Sequence, residues 1–347
     1  MGRRVLVTGL ATFWGGRVAQ HLERDPSVDV IVGLDRHEPT VELERTEYVR
    51  SDENYSILAR IVKATKVDTI VHTFLMMDSS GVKSRTIHEI NVIGTMNLFA
   101  AASAAGSTVR DVVVKSSTLV YGAGARDPNM FREENVRTSP PRTAVERSLL
   151  EVEGYVRDFA EDNPHVTVSL LRFSNVLGPD IRTPLSKALS LPLVPRILGF
   201  DPRFQFVHED DVIRAILFVL DRQLPGIYNV AADGLLPWTE VAAICGKRTL
   251  PLPPFGFTGF TSTPLSRVGI ELTPEVMDVL RYGRGVDNRR LKEAGFNYGY
   301  TSAGTVEAFV EAMRLRSTIG QPATYRYERD VEDFFRHSPA VVREPAE

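Results

Sequence analysis

A strand–turn–helix–strand pattern in residues 4–35 constrains the fold more than any other feature of the chain. Its first strand is an apolar segment without polar alternation, which is typical of a parallel strand buried on both faces. A glycine turn at residues 9–15 and an amphipathic helix follow, and a second strand carries Asp35 at its carboxyl end. Free amides at a helix N-terminus bind phosphate groups, and a carboxylate at this strand end accepts hydrogen bonds from ribose hydroxyls. The pattern therefore predicts an α/β fold that binds a dinucleotide.

One position in the glycine turn departs from the usual three-glycine fingerprint. Thr12 stands where the middle glycine is expected, and its β-carbon should crowd the approach of phosphates, although its hydroxyl can donate a hydrogen bond. Short glycine patterns have a high false-positive rate, so a plain strand-to-helix turn is the alternative interpretation. Asp35 favours NAD over NADP because it would repel the additional phosphate, and the neighbouring Arg36 weakens that preference.

Composition indicates an ordinary soluble protein. The chain has 347 residues, of which 43% are hydrophobic and 24% charged, with a formal net charge of −3. These values give no reason to expect a nucleic acid or a membrane as a partner. The single cysteine, Cys245, excludes an internal disulfide and lies in an apolar helical stretch, where we expect it to be buried. The first strand leaves no room for a signal peptide, and no run approaches the ~20 apolar residues of a membrane span. We expect a cytoplasmic protein.

Strands alternate with helices as far as Phe173, which favours a parallel sheet covered by helices on both faces. We predict one long helix at 85–105 and another at 142–161. Prolines then break the chain into short pieces. A helix at 210–220, a strand at 226–230, a loop at 251–260 and a final helix at 303–316 complete the prediction.

Several short motifs occur in a fixed order along the chain. They are Val7-Thr8-Gly9 with Gly15, Asp35, Asp52, His72, Asn91-Val92-Ile93-Gly94-Thr95, Ser116-Ser117 with Val120-Tyr121-Gly122, Asn175-Val176-Leu177-Gly178-Pro179, Val207-His208 with Asp210-Asp211-Val212, and Tyr228-Asn229-Val230. Each motif alone is weak, but their joint order and spacing are specific.

Together these motifs resemble the extended short-chain dehydrogenase/reductases, in particular the NAD-dependent epimerase/dehydratase group that acts on nucleotide sugars, over about residues 3–312. The resemblance implies a Rossmann-type doubly wound parallel sheet at 1–175. It also implies a smaller carboxyl-terminal substrate-binding lobe at 176–316, with some exchange of chain between the two, and a tail at 317–347. From the turn and the resemblance, the predicted contacts with NAD are Gly9, Thr12, Phe13, Trp14, Gly15, Asp35, Arg36, Asp52, Thr73, Asn91 and Ser116.

The chain departs from the catalytic pattern of that group. The resemblance assigns Ser117 to the substrate hydroxyl and implies a Tyr-x-x-x-Lys pair on a later helix as the acid/base. No tyrosine of this chain has a lysine four residues later, and alignment of the helix places Val145 at the tyrosine and Leu149 at the lysine. Either another group supplies the base, or the protein carries out no chemistry.

Candidate substitutes for the missing base are few. Tyr121 follows the fifth strand near the expected nicotinamide, and Asp78 lies in the loop after the fourth strand. We expect Glu146 to be solvated on its helix, and His72 and His208 to be structural histidines held by hydrogen bonds. The predicted catalytic residues are therefore Ser117 and Tyr121, and no metal site is expected.

A second departure concerns the substrate. The group often has a phosphate-binding arginine where this chain has Phe204, while Arg203 beside it would point to the opposite side of a strand. Arginines elsewhere in the chain could bind an anion instead. The predicted substrate contacts are Asp78, Asn175, Arg182 and Arg284.

Three functions stay open at this stage. The first is an NAD-dependent epimerase/dehydratase-like enzyme with an altered site and a nucleotide-sugar-like or other hydroxylated substrate. The second is a non-catalytic dinucleotide sensor that works through a protein partner, and the third is a scaffold without cofactor. A homodimer is plausible through apolar residues of the 142–161 helix, Leu150, Val152 and Val156, although these could equally face this chain's own sheet.

Overall fold

The structure is a computed structural model that describes residues 2–77, 82–128, 130–254 and 274–319. Its strands are β1 (Arg3–Thr8), β2 (Val28–Asp35), β3 (Thr46–Arg50), β4 (Thr69–His72), β5 (Asp111–Ser117), β6 (Met130–Phe131), β7 (Thr167–Phe173), β8 (Asn175–Leu177), β9 (Leu193–Ile197), β10 (Arg203–Phe204), β11 (Phe206–His208), β12 (Gly226–Val230), β13 (Leu236–Pro237), β14 (Arg248–Leu252) and β15 (Gly285–Val286). Its helices are α1 (Phe13–Glu23), α2 (Tyr55–Thr65), α3 (Ser84–His88), α4 (Gly94–Ala102), α5 (Ala144–Asp162), α6 (Pro184–Ser190), α7 (Glu209–Arg222), α8 (Trp238–Ile244), α9 (Pro274–Tyr282), α10 (Arg289–Glu293) and α11 (Ser302–Ile319).

Seven parallel strands form the central sheet in the order β12-β7-β5-β4-β1-β2-β3. Two apolar clusters, one on each face, bury the sheet under helices, which confirms the predicted doubly wound α/β fold. The chain moves outward from β1 to β3 and returns to β4 beside β1. Loops therefore diverge above the carboxyl ends of β1 and β4, which is where ligands bind in sheets of this kind.

The turn between β1 and α1 depends on two glycines. Gly9 has a φ of +76°, and a β-carbon on Gly15 would lie 2.2 Å from the carbonyl oxygen of Gly9. Thr12 ends this turn as the N-cap of α1, since its hydroxyl oxygen accepts a hydrogen bond from the Gly15 amide.

The prediction of one α-helix at 85–105 is wrong in detail. The segment runs as α3, then a π-helical turn at Glu89–Ile93, then α4. A π turn carries one additional residue, so it changes the direction of the side chains within it. Asn91 lies in this turn with a buried side chain bonded to the backbone of Met76. The widened turn therefore braces the loop that follows β4.

Residues after 176 build a third apolar cluster around Phe204 and Trp238. The predicted loop at 251–260 is wrong at its beginning, because Pro251 belongs to β14, which pairs only with β9 among the described strands. A strand paired on one side tolerates proline, since no partner needs the missing amide. The remainder of that loop, and the tail beyond 319, lie outside the described residues.

Other expectations concern burial and partners. Cys245 is buried, as predicted. Val152 and Val156 are buried within this chain's own core, so they are not available for a dimer contact. Among the described helices, none combines the length and the apolar character of a membrane span. The described residues also contain no group of three His, Cys, Asp or Glu side chains arranged to hold a metal ion.

Candidate functional site

A cavity of about 780 Å³ opens above the carboxyl ends of the central strands. Five stretches of chain supply most of its wall, 11–14, 75–77, 115–119, 173–176 and 180–185. The wall thus joins the β1–α1 turn to the end of β5 and to the segment that follows β7. Several of the predicted site residues meet here: Thr12, Phe13, Trp14, Ser116, Ser117, Asn175, Arg182 and Arg284.

The N-terminus of α1 presents backbone donors to this cavity. Thr12 accepts from the Gly15 amide and donates its own hydroxyl hydrogen to the Gly9 carbonyl at 2.6 Å. No described residue accepts a hydrogen bond from the amides of Phe13 and Trp14, the first two residues of the helix. Two free amides at a positive helix end form a site for a phosphate group. The β-carbon of Thr12 therefore does not prevent the helix N-terminus from keeping two free amides.

Asp35 ends β2 beside the same turn, as predicted. Its carboxylate is buried and accepts hydrogen bonds from the amides of Ala11 and His37, both at 3.0 Å. A carboxylate has about four acceptor positions, so these two bonds leave capacity for a ribose hydroxyl. The next residue, Arg36, forms an ion pair with Asp52 at 2.7 Å and is therefore engaged.

The described cavity wall does not include seven of the predicted cofactor residues: Gly9, Gly15, Asp35, Arg36, Asp52, Thr73 and Asn91. Two of these serve the framework. Thr73 is buried and donates its hydroxyl hydrogen to the Thr8 carbonyl at 2.8 Å. Asn91 donates to Ser148 Oγ at 3.0 Å as well as to the Met76 carbonyl. Both side chains tie together the elements that surround the cavity.

Alternate residues of β5 face opposite sides of the sheet. Ser116 donates a 2.7 Å hydrogen bond to Glu153 on α5. Lys115 and Ser117 point the other way, and all three residues contribute to the cavity wall. The Ser117 hydroxyl oxygen accepts a hydrogen bond from the Leu119 amide at 3.2 Å, which leaves its own hydrogen free to donate.

Lys115 is a functional candidate that sequence reasoning missed. Its amine is buried, lies 5.6 Å from the centroid of the Trp14 ring, and donates a long hydrogen bond of 3.4 Å to the Leu75 carbonyl. Burial lowers the pKa of Lys115 to about 7. The signal that could have identified it is a lone charged residue directly after the apolar run Val112-Val113-Val114 of a central strand.

Tyr121 occupies a closed polar network rather than the cavity wall. Its hydroxyl accepts a hydrogen bond from Arg172 at 2.7 Å and donates to the Asn229 side chain at 2.8 Å. Arg172 also forms a buried ion pair with Glu153. Burial raises the pKa of Tyr121 to about 12, which opposes proton acceptance near neutral pH. This geometry argues for a structural tyrosine.

Val145 and Leu149 are buried in the core on the inner face of α5, one turn apart. Neither of them lines the described part of the cavity. Glu146 corrects an expectation, because it is buried and not solvated. Its carboxylate accepts from Arg137 at 3.1 Å and from the Arg142 amide at 2.7 Å, since the loop before the helix folds over it.

Both histidines are structural, as predicted. His72 is held between the hydroxyls of Thr8 and Thr95 at 2.6 and 2.9 Å. Burial lowers the pKa of His72 to about 3, so the ring is neutral. His208 is the N-cap of α7, where its Nδ1 accepts from the Asp210 amide at 3.2 Å.

The far end of the cavity carries a buried guanidinium. Arg284 donates to the Gly122 carbonyl at 2.8 Å, and its backbone pairs with that of Phe204, which also lines the cavity. Burial lowers the pKa of Arg284 to about 10, so it stays charged at neutral pH. Arg203 is exposed, as the strand alternation predicts. Asn175 and the exposed Arg182 complete this end, while Asp78 lies outside the described residues.

Comparison with known proteins agrees with this architecture. The model of the NAD dependent epimerase/dehydratase family matches residues 5–231. An uncharacterized protein of Mycobacterium tuberculosis is 35% identical over 320 residues, which cover 90% of this chain and 84% of the relative. The dTDP-D-glucose 4,6-dehydratase of Mus musculus is 31% identical over 250 residues, 67% of this chain and 68% of the enzyme.

Solved structures show the same fold. MoeE5 in complex with UDP-glucose and NAD superposes with a TM-score of 0.69 at 23% identity, covering 91% of this chain and 99% of that one. UDP-glucose 4-epimerase from Thermotoga maritima, with UDP-glucose, gives a TM-score of 0.69 at 18% identity over 90% and 99% of the two chains. On the match of the family model to nearly two thirds of its length, this chain belongs to the NAD dependent epimerase/dehydratase family.

Proposed function

We propose that this protein binds NAD and uses it for hydride transfer on a hydroxylated, nucleotide-sugar-like substrate. The observation that carries the proposal is the single cavity that joins the free amides of the β1–α1 turn to the end of β5. The family match and the ligands bound to MoeE5, UDP-glucose and NAD, support it. When bound, NAD would supply a hydride acceptor and donor.

The chain's own residues would hold the cofactor along this path. The amides of Phe13 and Trp14 would donate to the pyrophosphate at the helix N-terminus. Asp35 would take a ribose hydroxyl with its remaining acceptor capacity. The additional phosphate of NADP would meet the buried carboxylate of Asp35 there. We therefore propose NAD as the cofactor in preference to NADP.

We propose that Arg284 binds an anionic group of the substrate. Its guanidinium enters the cavity beside Phe204, the position at which the family often has an arginine. No carboxylate of the described residues forms an ion pair with Arg284, so a phosphate would compensate a buried charge. An Arg284→Met variant should raise the KM for dTDP-glucose about tenfold or more and change kcat less.

Two measurements test the binding proposal. Chromatography of the nucleotide released from the denatured protein shows whether a dinucleotide copurifies with it. Isothermal titration calorimetry then measures the binding of NAD and of NADP. Gly15→Ala should abolish binding, because its β-carbon would meet the Gly9 carbonyl. Gly154→Ala on α5 is the matched control, since nothing lies within 4 Å of its β-carbon. No binding by the wild type, or equal binding by the Gly15 variant, would refute the proposal.

A non-catalytic dinucleotide sensor is the second candidate. It is favoured by the apolar, fully buried pair Val145 and Leu149 on α5, because neither side chain can exchange a proton. The two functions are separated by mixing the protein with NAD and with dTDP-glucose, UDP-glucose or UDP-glucuronic acid. Appearance of the reduced-nicotinamide absorbance or of a changed sugar supports the enzyme. Tight NAD binding with no reaction supports the sensor.

A further inference from the structure

Lys115 is a basic side chain that the central sheet places inside the cavity. Its side chain is 4% exposed, and its amine touches only one acceptor among the described residues, the Leu75 carbonyl at 3.4 Å. No described carboxylate lies within ion-pairing distance of this amine. The amine faces the ring of Trp14, a residue of the turn proposed to hold the cofactor. A buried ammonium without a counter-ion is costly, so this environment favours the neutral amine and its free lone pair.

We propose that Lys115 accepts the proton of the substrate hydroxyl during hydride transfer and so replaces the missing Tyr-x-x-x-Lys pair. This inference rests on the proposed function, because it requires NAD and an alcohol substrate. Lys115 would then be a catalytic residue supplied by a strand instead of a helix.

The proposed step balances in atoms and electrons. The C–H bond of a secondary alcohol breaks, and its electron pair leaves with the hydrogen to NAD⁺. The O–H bond breaks, its proton moves to the lone pair of Lys115 Nζ, and the oxygen–carbon double bond forms. The alcohol is oxidised to a ketone, NAD⁺ is reduced to NADH, and the amine becomes an ammonium ion. The reverse step returns the proton and the hydride.

Ser117 would position the reacting oxygen. It lies two residues after Lys115 on the same face of β5, at a spacing of about 6.6 Å along the strand. Its hydroxyl accepts from the Leu119 amide, so its hydrogen is directed by that bond and free for the substrate oxygen. One face of one strand would thus supply both a hydrogen-bond donor and a proton acceptor.

The surrounding charges are compatible with a neutral amine. His72, on the neighbouring strand β4, is neutral, and Glu153 lies on the opposite face of the sheet in its pair with Arg172. Charged groups that line the same cavity are Arg17, Asp180, Arg182 and Arg284. A pKa near 7 matches the needs of a general base at neutral pH.

The charge state can be measured without any ligand. The wild type and the Lys115→Met variant are both labelled with ¹³C at lysine Cε and compared by NMR. The signal that is missing from the spectrum of the variant is assigned to Lys115. We expect it to titrate near pH 7, about three units below the ordinary value of a lysine side chain. Titration of Lys115 near the ordinary lysine value of about pH 10.4 would overturn the proposal.

The catalytic role is tested with dTDP-glucose, UDP-glucose and UDP-glucuronic acid in the presence of NAD. Lys115→Met should lower turnover by about 100-fold or more while changing the NAD dissociation constant less than about threefold. Added ethylamine should raise the turnover rate of Lys115→Ala at least about tenfold, in proportion to the concentration of the free base. Lys63→Met should react like the wild type. A merely structural lysine would not respond to the added amine.

The outcomes separate the two proposals. Turnover that survives Lys115→Met refutes the role of Lys115 and leaves the proposed function standing. An inactive Lys115→Ala that ethylamine does not rescue, although it is folded and binds NAD, also refutes that role. A wild type that binds NAD but converts none of these sugars refutes hydride chemistry on them, and the role of Lys115 with it.

Discussion

The two faces of β5 both carry polar side chains, but these side chains differ in how many hydrogen-bond and ionic partners they have. On one face, Ser116 contacts Glu153, which pairs with Arg172, which in turn contacts Tyr121. Every charge there has a partner and the network is closed. On the other face, Lys115 has no ionic partner among the described residues and meets a cavity. The comparison teaches that a polar residue in a buried strand holds the fold together when its partners are complete and is available for chemistry when they are not.

The largest effect is expected on the closed face. Glu153→Gln would leave the buried guanidinium of Arg172 without its counter-ion, and we expect the free energy of unfolding to fall by about 3–5 kcal/mol. Urea denaturation followed by circular dichroism measures this loss. Glu151→Gln, on the same helix but partly exposed, should change stability by less than about 0.5 kcal/mol. A loss below about 1 kcal/mol for the Glu153 variant would contradict the description of a closed network.

Removing the charge on the open face should raise the free energy of unfolding instead of lowering it. Lys115→Met should raise the free energy of unfolding by about 1–3 kcal/mol at pH 7, because an unpaired buried amine is replaced by an apolar chain of similar length. The unfolded state titrates near pH 10.4 and the folded state near 7. Between these values the unfolded wild type binds more protons, so the wild type gains stability as pH rises.

The advantage of Lys115→Met should therefore be fully present below about pH 7 and should shrink progressively towards about pH 10. Thermal or urea unfolding at several pH values tests this sign. An advantage that is independent of pH would mean that Lys115 carries its ordinary charge in the folded state.

Two adjacent serines give a sharper comparison. Ser116→Ala removes a hydrogen bond to a carboxylate and should cost about 1.5–2 kcal/mol of stability. Ser117→Ala removes only the acceptor of the Leu119 amide and should cost about 0.5–1 kcal/mol. Turnover should change in the reverse order, with the larger loss in Ser117→Ala. Equal effects in both assays would erase the distinction between the two faces.

A small effect is expected for Tyr121→Phe. The variant keeps the ring stacked on Phe131 and loses the hydroxyl between Arg172 and Asn229. We expect a loss of about 1 kcal/mol and an unchanged pH dependence of turnover. A shifted acidic limb in the pH–rate profile would return Tyr121 to the list of catalytic candidates.

The sequence predicts the central sheet well because buried parallel strands are nearly continuous apolar runs. The strand at 226–230 is found where it is expected, and Asp35 ends β2 as predicted. The π turn at Glu89–Ile93 is not predictable in this way, because apolar periodicity is almost the same in an α-helix with one additional residue. The contact of Asn91 with the loop after β4 is likewise seen only in the structure.

The site is predictable in part, for a different reason. Helical geometry places Glu146 on the outer side of α5, but it cannot show that Arg137 in the preceding loop folds over it. Likewise, the sequence places Tyr121 near the end of β5, and only the packing shows that Arg172 already binds its hydroxyl. Lys115 is visible as a charge in an apolar strand, yet the sequence cannot indicate which face of that strand is open.

The bridge between Phe204 and Arg284 has a consequence for how relatives are compared. The family resemblance places an arginine at residue 204, where this chain has phenylalanine, whereas the cavity wall holds Arg284 from a segment eighty residues later in the chain. Under the proposed role of Arg284, a different part of the chain supplies the positive charge at the same wall. Members of the group should be sorted by whether any cation reaches the wall, whichever strand delivers it.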